Sequence, residues 1–321
     1  MARVVCITLN PALDLAFALD TLTLGAVNRP RHAQLEAAGK GVNVARVLAS
    51  LGHDVVVSGF LGSDNDGPFQ RAFEQMGVTD AFVRVTGETR INAKLAEASG
   101  RVTDINGPGI AVDTAQVDSL MVTLEQQIAT TRPDALLVAG SLPPGLDLTA
   151  FGEFLTRLKA TGVALWVDTS GDALLRAISV APEAVKPNEI ELADWAGNTL
   201  ESFEQRLSAT TRLHQTGVCQ ALLSAGADGV IWVNADGAWQ ATPPKVQAIN
   251  TVGAGDTFVA GMLHGRLSGE SEEQTLRFAT ALSAESVRHV GVGNAQADDF
   301  SLLLQHTRVQ HLHASRTEGA L

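Results

Sequence analysis

Asn250-Thr251-Val252-Gly253-Ala254-Gly255-Asp256-Thr257-Phe258 opens a helical pattern whose apolar positions include Phe258, Met262 and Leu263. Glycines at 253 and 255, separated by the small Ala254, let backbone N–H groups converge on an anion at the positive end of that helix. Asp256 stands at the same helix start, where the dipole and neighbouring N–H groups hold it ionised and able to accept a proton. A carboxylate beside an anion hole is what phosphoryl transfer to an alcohol requires. The base takes the hydroxyl proton while the donors stabilise charge on the transferring group. An isolated Gly-Ala-Gly-Asp is equally a capping aspartate after a glycine turn, so the surrounding chain has to decide.

Outward from this stretch, short apolar, β-branched runs alternate with longer amphipathic ones, the pattern of βαβ units and a mostly parallel sheet. The runs that read as core strands are Val4–Leu9, Asp54–Phe60, Ala135–Ala139, Val163–Val167, Ala184–Lys186, Ala221–Leu223 and Val230–Val233. Helical patterns occupy Val42–Leu51, Phe69–Met76, Gln116–Thr130, Leu148–Lys159, Ser202–Gln215, Asp256–Leu267 and Thr275–His289. Residues 12–37 and 82–107 break this rhythm by alternating polar with apolar side chains, as in Phe82-Val83-Arg84-Val85. Such antiparallel-looking ribbons fit a parallel layer poorly. They are read as a small β lid inserted into a large α/β domain made of residues 1–11, 38–81 and 108–309. Residues 310–321 are polar and read as a flexible tail.

The chain has 321 residues, 45% of them apolar and 18% charged, which suits a sizeable core and excludes disordered and low-complexity classes. Its formal net charge of −12 argues against nucleic-acid partners. It also requires that any phosphate-handling site concentrate its cations locally. Cys6 and Cys219 lie far apart with no Cys-x-x-Cys spacing, so both are read as buried thiols in strands. The apolar run Val4–Leu9 is too short for a signal-peptide core. No stretch approaches the roughly 18 consecutive apolar residues of a membrane span. The expected setting is a reducing cytoplasm.

Three further stretches bear on phosphate chemistry. Lys186-Pro187-Asn188 ends a strand and leads to Glu189-Ile190-Glu191. Carboxylates there suit a water-mediated Mg²⁺ near triphosphate oxygens, and a proline-marked turn with a helix cap is the plainer alternative. Ser224-Ala225-Gly226-Ala227-Asp228-Gly229 either brings backbone to a nucleotide or forms a plain tight turn. Gly39-Lys40-Gly41-Val42-Asn43-Val44-Ala45 is a glycine-rich helix entry suited to gripping a polar ligand. It has neither the G-x-x-x-x-G-K-[ST] spacing of the P-loop nor the G-x-G-x-x-G of dinucleotide folds.

Taken in order, these stretches resemble the PfkB family of ribokinase-like sugar kinases over about residues 3 to 306. The resemblance rests also on Thr8-Leu9-Asn10-Pro11-Ala12-Leu13-Asp14, Thr89-Arg90-Ile91-Asn92, Val102-Thr103-Asp104-Ile105-Asn106 and Gly140-Ser141-Leu142-Pro143-Pro144-Gly145. It implies a three-layer α/β/α fold with a mostly parallel sheet and an inserted β-sheet lid. It also implies ATP with Mg²⁺, and Asp256 as catalytic base with Gly253, Ala254 and Gly255 as anion hole. Asp14 would hydrogen-bond sugar hydroxyls beside Gly39, Lys40 and Asn43. Arg90 would clamp the substrate phosphate with Ser141, and Arg29 is a second candidate cation. A guanidinium contacts phosphate bidentately as a lysine cannot, which favours Arg90 over Lys94. Lys186, Asn188, Ser224, Gly226, Gly229, Thr251 and Ser283 would surround ATP, and Asn188 and Glu191 occupy the positions of the family's Asn-x-x-Glu magnesium motif.

In one place the chain departs from the family's pattern. Many relatives carry an aspartate six residues before the catalytic one, where it helps bind an activating monovalent cation. Here that position is Asn250, a neutral amide, so a K⁺ site at Asn250 and Val252 would have a carbonyl ligand but no charge.

Fructofuranose is nearly two-fold symmetric, so fructose 1-phosphate and fructose 6-phosphate fit one site alike. Gly25-Ala26-Val27-Asn28-Arg29 and Gly59-Phe60-Leu61-Gly62 resemble the branch of the family acting on fructose 1-phosphate. The expected reaction is therefore phosphorylation of its 6-hydroxyl by ATP. Kinases of tagatose 6-phosphate or fructose 6-phosphate are the alternative, and a non-catalytic sugar-phosphate sensor is the alternative of another class. A nicotinamide enzyme ranks behind both. A lid with one apolar face cannot bury that face alone, and in this family lids pair across a dimer, so a homodimer through the lid is expected.

Overall fold

The computed structural model describes residues 1–312. The chain falls into two compact units, Met1–Val163 and a second that starts at Ala164.

The first unit runs β1 (Arg3–Thr8), β2 (Ala12–Leu19), β3 (His32–Ala38), α1 (Lys40–Ser50), β4 (Asp54–Gly62), α2 (Gly67–Met76), β5 (Thr79–Val85), β6 (Ile91–Glu97), β7 (Val102–Ile105), α3 (Thr114–Thr131), β8 (Ala135–Ala139) and α4 (Leu148–Ala160). Strands β8, β1, β4 and β5 lie side by side in that order, and all are parallel. Helix α1 packs on β1, β4 and β8, and α3 packs on β4 and β5. Strands covered in this way read as continuous aliphatic runs, which is why β1 and β8 are plain in the sequence. Strand β5 is the edge, and its alternation of buried and accessible positions imitates a ribbon. Residues Phe82–Val85, expected in the lid, are therefore part of the parallel sheet.

The lid is a four-stranded sheet ordered β3-β2-β6-β7. Its hairpin-like pairs β2–β3 and β6–β7 are antiparallel, as the alternation implies, but they join through a parallel β2–β6 pairing. The register sets Asp14 opposite both Glu36 and Asn92, and Leu15 opposite both Leu35 and Ala93. Directly opposed residues share a face, so the sheet has one polar and one apolar face.

The second unit runs β9 (Ala164–Asp168), α5 (Gly171–Val180), β10 (Ala184–Val185), α6 (Glu189–Ala196), α7 (Phe203–Gln215), β11 (Gln220–Ser224), a 3₁₀ turn at Gly226–Asp228, β12 (Val230–Asn234), β13 (Gly237–Thr242), α8 (Ala254–Leu267), α9 (Glu272–Ser286), α10 (Phe300–His306) and β14 (Arg308–Leu312). Strands β9, β10 and β11 are parallel, and β12, β13 and β14 continue antiparallel. Residues 310–312, expected in a flexible tail, pair with β13, and the rest of that tail lies outside the described residues. Cys6 is buried in β1 as expected, but Cys219 is exposed, one residue ahead of β11. Among the described residues no helix is long and apolar enough to cross a membrane.

Two contacts fix the part of this unit that matters below. Helix α8 is buried on nearly every side and packs closely on α9. A Cβ on Gly261 would stand 2.6 Å from the Cα of Ala279, so the helices meet backbone to backbone. Strands β9 and β10 run in register, Val167 opposite Val185, so the next residues, Asp168 and Lys186, emerge together. Lys186 Nζ lies 3.4 Å from Asp168 Oδ1, with side chains only 7% and 3% exposed.

In a free helix Gly→Ala stabilises by about 0.5–1 kcal/mol. Gly261→Ala is expected to do the reverse, destabilising by about 1–3 kcal/mol through overpacking, and a raised urea midpoint would contradict the close crossing. Asp168→Ala is expected to cost about 3–5 kcal/mol in the same assay by stranding a buried ammonium. The double variant Asp168→Ala/Lys186→Met should recover most of that loss.

Candidate active site

The expected residues form two clusters, one in each unit. In the first unit, Asp14 comes from the middle of β2, on the polar face of the lid. Its Oδ1 accepts from Asn92 Nδ2 at 3.0 Å and its Oδ2 pairs with Lys94 Nζ at 2.8 Å. Asn92 and Lys94 are two apart on β6 and so share that face. Asn92 Oδ1 also accepts from Gly107 N at 3.2 Å. Asp14 is thus a carboxylate with its charge compensated and its orientation fixed, able to accept sugar hydroxyls on its remaining lone pairs. Neither partner was expected. Their signal was the alternation Ile91-Asn92-Ala93-Lys94, but the parallel β2–β6 register that brings them to Asp14 is non-local.

Arg90 is half-buried at the start of β6. Its Nη2 donates to Asn10 O at 2.8 Å and approaches Ser141 Oγ at 3.4 Å; Nη1 donates to Gly107 O at 3.0 Å, and Nε to Pro11 O at 3.3 Å. Burial pushes the guanidinium below its usual pKa and the Asp14 charge opposes this, but an arginine stays charged throughout. Four of its five N–H donors are engaged, so Arg90 offers phosphate a fixed positive charge and one spare donor, with further donors only by exchanging a carbonyl. Ser141 joins the cluster directly, since Asn10 Nδ2 also donates to its Oγ at 3.2 Å and to Leu142 O at 3.0 Å. Asn10, 4% exposed, is the staple for this loop, and in the sequence it stands only as one member of the Thr8–Asp14 motif.

Gly39 caps α1, and a Cβ there would meet Thr8 Cγ2 at 3.0 Å and Pro11 Cα at 3.2 Å. It therefore lets the start of α1, with Lys40 as its first residue, approach the end of β1. Asn43 N donates to Gly39 O at 2.9 Å in the first turn. Arg29 is exposed in the connection between β2 and β3, and no contact described in the structure joins it to Arg90 or Ser141.

In the second unit, Gly253 adopts φ 84° as the N-cap of α8, and Asp256 lies in the first turn, 6% exposed. Helix α8 starts at Ala254, two residues before the expected Asp256, because a left-handed residue ends the preceding turn. Lys186 Nζ would be 3.5 Å from a Cβ on Gly255, so the Asp168–Lys186 pair sits against this glycine turn. Ser283 Oγ donates to Ala254 O at 3.0 Å and Gly293 N to Thr257 Oγ1 at 3.1 Å, bracing the helix start. Thr251 is exposed, and its carbonyl accepts from Ala254 N at 3.4 Å. The missed residue here is Asp168, hidden because its partner is a strand away.

Asn188 and Glu191 form the capping box of α6: Asn188 Oδ1 accepts from Glu191 N at 2.9 Å, and Glu191 Oε2 accepts from Asn188 N at 2.8 Å. Ser224 bridges to Asn188 and donates its N–H to Pro187 O at 3.1 Å. Gly226, at φ 51°, faces open space, whereas Gly229 has no room for a Cβ against the Ala241 carbonyl. Arg206 ties both turns together, reaching Glu189 Oε1 at 2.8 Å and Asp228 Oδ2 at 3.0 Å. Asn250 Oδ1 accepts from Val252 N at 3.0 Å, closing an Asx turn rather than standing open.

No group of three or more His, Cys, Asp or Glu side chains among the described residues could hold a metal ion. Glu191 keeps one carboxylate oxygen outside the capping box. That donor set fits Mg²⁺ carried by phosphate oxygens and its own waters, not a protein cage.

The chain matches the family model described as pfkB family carbohydrate kinase over residues 1–299. It is 44% identical to the 1-phosphofructokinase of Vibrio cholerae over 97% of this chain and 98% of that protein. To the 1-phosphofructokinase of Escherichia coli K12 it is 41% identical over 96% and 98%. Among solved structures, phosphofructokinase-2 from Escherichia coli in complex with fructose-6-phosphate superposes with TM-score 0.85 at 26% identity, covering 95% of this chain and 99% of that one. Its complex with potassium gives TM-score 0.86 at the same identity and coverage. The fold is the expected mixed α/β architecture with a mostly parallel sheet and a small second sheet. This chain belongs to the pfkB family of carbohydrate kinases, and it is an ATP-dependent sugar kinase.

Proposed function

We propose that this protein transfers the γ-phosphoryl group of ATP to the 6-hydroxyl of fructose 1-phosphate, giving fructose 1,6-bisphosphate and ADP. The observation that carries the substrate is near full-length similarity to two proteins named 1-phosphofructokinase, at 44% and 41% identity. The chemistry is supported by the buried Asp256 in the first turn of α8, behind the left-handed Gly253.

In this reading Asp14, with Asn92 and Lys94 holding it, accepts the sugar hydroxyls beside Gly39, Lys40 and Asn43. Arg90 and Ser141 receive the 1-phosphate. Asp256 takes the proton of the 6-hydroxyl as its oxygen bonds to the γ-phosphorus and the bond to the ADP oxygen breaks. The N–H groups of Gly253, Ala254 and Gly255, with Lys186, stabilise the charge spread over the transferring group. Ser224, Gly226, Gly229 and Thr251 border the nucleotide, and Ser283 acts indirectly by holding Ala254. Asn188 and Glu191 would hold Mg²⁺ through water, and the ion, when bound, would neutralise triphosphate charge. Potassium has weaker footing, since Asn250 is neutral and its oxygen already accepts from Val252; the reaction needs no monovalent ion in this reading.

The homodimer follows from the apolar face of the lid. Leu15, Phe17, Leu35, Leu95, Ile91 and Ile105 share it by register, and Leu35, Ile91 and Ile105 are 44%, 46% and 59% exposed. A patch of this kind on a two-hairpin sheet needs a cover, and a second lid offers the same chemistry. Closure of the lid over the sugar would also keep water from the γ-phosphate.

Coupled kinetics should give a higher kcat/KM for fructose 1-phosphate than for fructose 6-phosphate or tagatose 6-phosphate. A preference for either 6-phosphate would overturn the substrate. Light scattering should give twice the chain mass, and Leu35→Glu/Ile105→Glu should halve it. A monomeric unsubstituted protein at micromolar concentration would contradict the lid interface.

A further inference from the structure

The end of β4 and the connection after it are bonded to the segment that leads from β5 to Arg90. Ser63 N donates to Val85 O at 2.8 Å and Asp64 N to Gly87 O at 3.0 Å. Gly62 N donates to Thr89 Oγ1 at 2.8 Å, and a Cβ on Gly62 would overlap the backbone of Gly87 to Thr89. The two chains are therefore in backbone contact. The last bonds come from one side chain: Asn65 Oδ1 accepts from Thr89 N at 2.8 Å and Asn65 Nδ2 donates to Thr89 O at 2.8 Å.

This pair has a specific chemical requirement. Thr89 is 3% exposed, so both of its peptide groups need partners. A single carboxamide can supply an acceptor and a donor side by side, imitating a neighbouring strand. A carboxylate of the same shape supplies only acceptors and would set an oxygen against the Thr89 carbonyl. The next residue is Arg90, whose backbone O accepts from Leu13 N at 2.9 Å, one residue from Asp14. The guanidinium itself is seated on three backbone carbonyls. Its place is thus set from both ends, by those carbonyls at the tip and by the Thr89 peptide at the root.

We infer that Asn65 is a positioning residue for Arg90: by locking both peptide groups of Thr89 it aims the guanidinium at the phosphate of the acceptor sugar. The inference rests on the proposed role of Arg90 and extends it to a residue outside the lid whose side chain bonds to the Thr89 peptide groups. Asn65→Asp should raise KM for fructose 1-phosphate about tenfold, equivalent to about 1.4 kcal/mol. KM for ATP should stay within about twofold. Asn65→Ser, whose shorter hydroxyl makes neither bond but sets no carboxylate oxygen against the Thr89 carbonyl, should give a smaller rise of about two- to fourfold.

Combined with Arg90→Ala, Asn65→Asp should add almost nothing, because the two changes remove one function. Ser58→Ala removes a β4–β5 hydrogen bond to Ala81 O at 2.8 Å and serves as the stability control. It should lower the unfolding midpoint without moving either KM. An unchanged KM for the sugar phosphate in folded Asn65→Asp, equal effects on both substrates, or full additivity with Arg90→Ala would overturn the inference. If Asn65→Asp does not fold, Asn65→Ser decides alone, an unchanged KM again being the contrary result. An Arg90→Ala variant with normal KM would instead refute the role of Arg90 itself, which separates the two failures.

Discussion

A carboxylate 6% exposed in the first turn of a helix is the constraint around which the second unit is built. Burying such a group is costly unless dipoles and donors meet it. The start of α8 meets it with the positive end of the helix dipole, behind a left-handed turn at Gly253 that most residues resist. In the proposed reading the same turn presents the start of α8 to an incoming anion. Lys186 brings positive charge against Gly255, and Asp168 makes that buried ammonium tolerable. Ser283 and Thr257 pin the helix start to α9 and to the segment at Gly293. The tight Gly261–Ala279 crossing then holds the whole helix in place. Together these contacts fix the first turn of α8, where the proposed base stands.

In the proposed function the first unit meets a related problem, gripping a phosphorylated sugar on a chain of net charge −12. Its answer is preorganisation with few cations. Lys94 pairs with Asp14 and compensates its charge. Arg90 is fixed by backbone carbonyls before any ligand arrives, which reduces the side-chain entropy lost on binding. The acidic balance is a property of the whole chain and leaves the site chemistry to individually placed groups.

How far this was legible from the amino-acid sequence depended on the range of the interaction. The aliphatic runs of β1 and β8 and the glycine turn before Asp256 are local signals, and they appear where expected within a residue or two. Edge strand β5 alternates like a ribbon, so Phe82–Val85 were assigned to the lid although they pair with β4. The parallel β2–β6 join, and with it Asn92 and Lys94 beside Asp14, is a matter of register between distant segments. Asn188 and Glu191 carry both a motif and a cap, and the structure shows the cap. Cys219 looked like a strand thiol because it adjoins one, but its side chain faces solvent.

The claim on which the account turns is that Asp256 acts in chemistry and not in holding the sugar. Titration calorimetry of fructose 1-phosphate into Asp256→Asn, set beside its turnover with ATP, tests this directly. If Asp256 is the base, the dissociation constant stays within about threefold of the unsubstituted protein and turnover falls by about 10³-fold or more. Turnover that survives the substitution, or sugar binding lost together with it, would contradict the assignment.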